Sequence, residues 1–156
     1  MNAARTPLTD IKVHVKLKMA ALWTSVMFCY IYADYFGLYV PGKLDGMLAG
    51  QIAPLGRATQ GVLIGTSAML AIPSVMIFLS VALSPPINRW INVIAGVLYT
   101  LIILVTMWDW PYAIFYGVIE ITLTTLVVWY AWTWPREAVG ALAATRDPAL
   151  PSRSGD

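Results

Sequence analysis

The chain has 156 residues, 59% of them hydrophobic and 12% charged, with ten Lys and Arg against eight Asp and Glu and a net charge of +2. Soluble domains average about 45–50% apolar and about 25% charged residues, so this balance excludes a disordered chain and argues against a soluble domain, which at this length cannot hide so much apolar surface. The small charge, with no basic face interleaved with exposed aromatics, excludes nucleic acid as an expected partner. The remaining class is an integral membrane protein whose partner is the lipid bilayer.

The single cysteine, Cys29, cannot form an internal disulfide, a CxxC redox pair or a cysteine-held cluster. The single histidine, His14, excludes bis-histidine haem and a His-rich zinc site within one chain. No phosphate-binding glycine loop is present. No cofactor, metal or catalytic residue is therefore expected.

In chain order, residues 1–16 form a basic N-terminal segment. Ile11 to Lys18 alternates apolar and basic residues, a strand signal without a partner, and reads as an interfacial segment whose lysines reach anionic headgroups. A hydrocarbon core of about 30 Å needs about 20 apolar residues in a helix, and four such runs follow: residues 17–36, 61–83, 91–108 and 112–134. Barrel strands would be shorter and alternating, so the spans are helices. In the first, Asp34 shares a face with Trp23, Met27 and Tyr30.

Loop one, residues 37–60, is longer than an ordinary connection and is expected to hold structure. Pro41-Gly42 reads as a turn, Lys43 to Gln51 as one or two amphipathic helical turns, and Pro54 and Gly56 as breakers. Lys43 or Arg57 could fold back to Asp34. In span two, Gly61 and Gly65 have a spacing that permits close helix approach, and Pro73 frees the carbonyl of Met69, with Ser67 and Ser74 near enough to compensate.

Loop two is expected at Ser84 to Arg89 and loop three at Asp109 to Pro111. Both are short, which predicts spans two, three and four as antiparallel neighbours. Span three carries Asn88, Asn92, Gly96 and Tyr99 on one face, with Asn92 placed to bond a neighbouring helix. Span four carries the stripe Tyr116, Glu120, Thr124. Glu120 lies about 14 Å into that span at 1.5 Å per residue, near the midplane, where a neutral acid is expected. Asp34 should sit nearer the outer surface, too high to touch Glu120 directly. Residues 136–156 form a tail expected to be partly disordered.

The basic residues set the orientation. Arg5, Lys12, Lys16, Lys18, Arg89, Arg136, Arg146 and Arg153 fall on one side, Lys43 and Arg57 on the other. Both termini are therefore expected in the cytoplasm. Aromatic clusters at Tyr35–Tyr39, Trp108–Tyr112 and Trp129–Trp134 mark the interfaces. The predicted fold is all-α: a four-transmembrane-helix antiparallel bundle over residues 17–135 with a structured first extracytoplasmic loop. The candidate intramembrane polar site comprises Glu120, Asp34, Tyr30, Tyr116, Thr124, Tyr99 and Asn92.

The segments LWTSVMFCYIYADYFGLYVPGKL from Leu22, INRWINVIAGVLYTLI from Ile87 and IFYGVIEI from Ile114 resemble an uncharacterised family of small bacterial four-helix membrane proteins, itself loosely similar to DoxX-like proteins. The resemblance covers about Ile11 to Pro135. It implies a four-helix bundle in a bacterial inner membrane and supplies no activity. The thiol redox link of some DoxX-like proteins requires paired cysteines, which this chain lacks. Small multidrug exporters also have four helices and one key glutamate, but theirs lies in the first helix.

Three functions fit. The first is a proton- or cation-linked transporter or channel-like protein using Glu120 and Asp34, expected as a homo-oligomer because one four-helix bundle is narrow. The second is an accessory subunit whose Glu120 pairs with a partner membrane protein. The third, least favoured, is an enzyme acting on a lipid-like substrate.

Overall fold

A computed structural model describes residues 11–52 and 54–135. The expected disordered tail, and with it Arg136, Arg146 and Arg153, lies outside the described residues, as does Arg5. Four long helices dominate: α1 (Val15–Gly37), α3 (Gln60–Ala82), α4 (Pro85–Thr106) and α5 (Pro111–Trp132). Loop one holds the short α2 (Lys43–Leu48) and a minimal antiparallel hairpin, β1 (Gln51–Ile52) with β2 (Gly56–Arg57). The all-α expectation holds. α3, α4 and α5 are each long and apolar enough to cross a membrane. α1 is as long, but Trp23, three tyrosines and Asp34 dilute its apolar content.

Local chemistry explains the boundaries. Residues 11–14 form no strand; the His14 side chain instead accepts from the Lys16 amide at 3.2 Å and caps α1. Gly42, at φ 78°, supplies the left-handed turn that starts α2. Thr59 caps α3 through the Val62 amide. The expected loop at Ser84 to Arg89 is much shorter. Pro85 and Pro86 occupy the first two positions of α4, where a missing amide hydrogen costs nothing, so the helix begins six residues before the predicted span. Pro111 opens α5 in the same way.

The predicted pairing of α4 with α5 holds, whereas that of α3 with α4 is loose. α1 packs against both α3 and α5, α5 packs against α4, and α3 and α4 touch only sparsely despite their short connection. α1 thus separates spans two and four. The reason is the size of its buried face: Met19, Trp23 and Val26 are fully enclosed. The core groups Trp23 and Val26 of α1 with Met76 of α3, Ala95 and Tyr99 of α4 and Val127 of α5. The Trp23 and Tyr99 rings meet edge to face at 5.9 Å.

The interior is rich in polar atoms and the periphery in apolar ones. Ser80, Asn88, Asn92 and Thr124 are fully buried, whereas Phe28, Ile64, Phe78, Ile94, Val105 and Phe115 are more than half exposed. That inversion suits a protein whose solvent is hydrocarbon. Close approach uses glycines other than the G-x-x-x-G pair. A Cβ on Gly96 would lie 2.6 Å from Val128 Cγ2, and one on Gly117 2.7 Å from Met107 Cβ, while Gly61 and Gly65 have nothing within 4 Å. Gly61 and Gly65 therefore mark no close helix contact within one chain.

Candidate functional site: a polar seam between two helices

The seven candidate residues fall into two groups. Asn92, Tyr99 and Thr124 are committed to hydrogen bonds that hold helices together. Asn92 Oδ1 accepts from Trp23 Nε1 at 2.7 Å and from the Ser80 hydroxyl at 3.2 Å, and its amide nitrogen donates to Asn88 Oδ1 and to the Asn88 carbonyl. Asn88 in turn donates to the Ser80 carbonyl. This network joins α1, α3 and α4, and each polar group in it is paired, which removes the cost of burying it. Composition draws no attention to Ser80; its spacing to the buried Pro73 and Met76, three or four residues apart on one face of α3, was the available signal.

Tyr99 answers the question posed by Pro73. Its hydroxyl donates to the Met69 carbonyl, the acceptor that the proline leaves without an amide partner. Ser74, expected to compensate, donates instead to its own Leu70 carbonyl and to Met27 Sδ. The compensation comes from another helix, which makes the proline an interhelical anchor. Thr124 pairs its hydroxyl with that of Thr100 on α4 at 2.7 Å and also back-bonds to the Glu120 carbonyl.

Glu120 and Tyr116 belong to α5, and Asp34 and Tyr30 to its neighbour α1. Glu120 lies on the buried face of α5 with Gly117, Thr124 and Val127. Only 5% of the residue is exposed, yet among the described residues no group donates a hydrogen bond to its carboxyl. Its oxygens are not sealed, because every fully enclosed side-chain nitrogen or oxygen has a partner. Each therefore keeps a small accessible surface. Asp34 is exposed toward the outer end of α1. The two acids are not hydrogen-bonded, but they lie within electrostatic reach of each other, as do Tyr30 and Glu120. Tyr116, one turn above Glu120, stacks on Phe36 of α1 with ring centroids 6.4 Å apart.

Loop one follows the Asp34 end of α1. Lys43, the first residue of α2, folds back onto Gly37: a Cβ there would lie 2.8 Å from Lys43 Nζ and 2.9 Å from the Tyr112 hydroxyl. Lys43 and Tyr112 are both within electrostatic reach of Asp34. Lys43, one of the two partners weighed for Asp34, thus reaches its neighbourhood, without forming an ion pair within 4 Å among the described residues. Nearby, the Tyr35 and Tyr39 hydroxyls share a hydrogen bond of 3.0 Å, which raises the Tyr39 phenol above its ordinary pKa.

At the opposite end the basic residues have specific partners. Lys16 Nζ donates to the carbonyls of Val81 and Leu83 at 3.2 and 2.7 Å, capping the C-terminus of α3. Lys18 lies over the Tyr130 ring at 5.3 Å, and Arg89 sits against Trp90 and Trp132 at 5.8 and 5.4 Å. The contacts of Lys16, of Lys18 and of Arg89 with Trp132 went unread in sequence because each joins residues far apart in the chain.

Three membrane-length apolar helices, an inverted polarity and buried polar networks define a small helical membrane protein. The sequence model described as the Family of unknown function DUF6326 matches residues 10–141, and the chain belongs to that family. No curated protein and no solved structure matches it.

Proposed function

We propose that the protein spans a bacterial inner membrane four times, with both termini cytoplasmic, and moves or binds a proton or small cation along the α1–α5 seam. Support for α1 as the fourth span comes from its length and its neighbours. Its 23 residues extend about 34 Å. At one end Lys16 caps α3, and at the other Phe36 stacks on Tyr116 of α5. Such a course beside two spans favours a fourth span over a helix lying flat on the surface.

The observation that carries the functional reading is Glu120: a buried carboxyl on a span, without a donor among the described residues, whose oxygens nevertheless keep some accessible surface. A helix-fastening acid would be paired, as Asn88, Asn92, Tyr99 and Thr124 are. An accessory subunit would instead turn the acid toward a partner on an outward face, whereas Glu120 faces α1 within its own chain.

The test is infrared spectroscopy of the carboxyl band in liposomes, with Glu120→Gln as the assignment control. The expected result is a band that exchanges rapidly in deuterated buffer, titrates with bulk pH and shifts when a small cation is added. A band that exchanges slowly and ignores both pH and cations would refute a water-accessible site and leave the accessory-subunit reading.

A further inference from the structure

Resting on the reading of the seam as a cation site, we propose that Lys43 is a tethered counter-ion at the loop-one end of the seam, and that a small monovalent cation binds beside Asp34 in competition with it. The geometry is specific. Gly37 lies three residues after Asp34, on the same side of α1 and one turn further out. The missing side chain at Gly37 leaves a seat, and the Lys43 ammonium fills it beside the Tyr112 hydroxyl. Gly37 is buried as a result and Lys43 is half-buried, although both stand at the mouth of the molecule.

Below the seat, α5 presents Tyr112, Tyr116 and Glu120 at successive four-residue steps, and α1 presents Asp34 and Tyr30. The ammonium therefore tops a line of oxygen-bearing groups that leads to the unpartnered carboxyl. Arg57, the other basic residue of loop one, belongs to the hairpin and is exposed. Lys43 is carried on α2, a six-residue helix that has no buried residue of its own. Few packing contacts oppose its movement, so the ammonium can leave its seat without unfolding the core.

A lysine ammonium and a primary alkylammonium are the same chemical group, which makes methylammonium the natural probe. It would compete with the Lys43 charge for the neighbourhood of Asp34. Removing the tethered charge should strengthen methylammonium binding about tenfold or more, the effect expected of one neighbouring opposite charge. Gly37→Ala should act in the same direction by another route. Its Cβ would occupy the seat, and the atoms it meets are the far ends of two side chains that can swing aside. Alanine also suits a helix better than glycine.

The experiment is a methylammonium titration in liposomes, read by the carboxyl infrared bands of Asp34 and Glu120, with Asp34→Asn and Glu120→Gln as assignment controls. Wild type, Lys43→Ala, Lys43→Arg and Gly37→Ala are compared. The proposal expects half-saturation at about one-tenth of the wild-type concentration in Lys43→Ala, a decrease in Gly37→Ala, and little change in Lys43→Arg. Equal half-saturation in wild type and Lys43→Ala would overturn the tethered counter-ion while leaving the cation site standing. No response of either band in any variant would overturn the cation site, and this proposal with it.

Discussion

At the scale of single residues, hydrogen-bond supply decides which polar groups hold the structure and which are free to act. Pro73 and Tyr99 are the clearest pair. Proline removes one amide donor from α3, and the Tyr99 hydroxyl replaces it on the Met69 carbonyl. Tyr99→Phe should destabilise the protein by about 1 kcal/mol, within the range measured for hydrogen bonds between membrane helices. In a Pro73→Ala background the restored amide can serve the same carbonyl, so the cost of Tyr99→Phe should shrink. Unfolding in detergent of the four members of that double-mutant cycle gives the coupling directly; additive effects would show that the hydroxyl is not replacing the proline's missing donor. Sequence alone identified the orphaned carbonyl, because that follows from covalent structure. It assigned the wrong donor, because the donor is 30 residues away. Glu120 is the complementary case. Its depth was legible from the rise of a helix, but the absence of a partner depends on what four helices bring near it.

At the scale of helices, packing without water selects small residues at contacts. Gly96 places α4 against α5 so closely that even a methyl group would meet Val128 Cγ2 at 2.6 Å and the Thr124 carbonyl oxygen at 3.2 Å. Gly96→Val should force the two helices apart, weaken the Thr100–Thr124 hydrogen bond and cost about 1–3 kcal/mol. Thermal unfolding in detergent checks this, and Gly61→Val and Gly65→Val serve as controls expected to be near neutral, since neither glycine has a neighbour within 4 Å. The G-x-x-x-G spacing was visible in the sequence and the decisive glycines were not marked by any motif. Helix extent was largely readable from hydropathy. The exception was the start of α4, where the Pro85-Pro86 pair signals a first turn as readily as a loop. α4 and α5 pack closely as their short loop predicts, but α3 and α4 diverge, because loop length joins consecutive helix ends and does not fix the rest of their course. It says nothing of α1, whose Trp23, Val26 and Met19 insert it between α3 and α5.

At the scale of the molecule, the proposed topology has a direct test. Single cysteines introduced at Lys12 and Asp45, both exposed, in a Cys29→Ala background, can be probed with a membrane-impermeant maleimide. Four spans predict that Asp45→Cys is labelled from outside in intact cells and that Lys12→Cys is labelled only after permeabilisation. Labelling of both from one side would mean that α1 does not cross. The membrane class was written in the composition, and the all-α character and the positions of the long helices in the hydropathy pattern, since these depend on local chain chemistry and the thickness of a bilayer. The tertiary structure alone decided which groups Asn92 and Tyr99 fasten, that Lys16 caps α3, and that Lys43 reaches back to Gly37 near Asp34. The first two of those outcomes depend on distances between residues remote in sequence and the third on the course of loop one, and hydrophobic periodicity carries the faces of helices but not the identity of the neighbour each face meets.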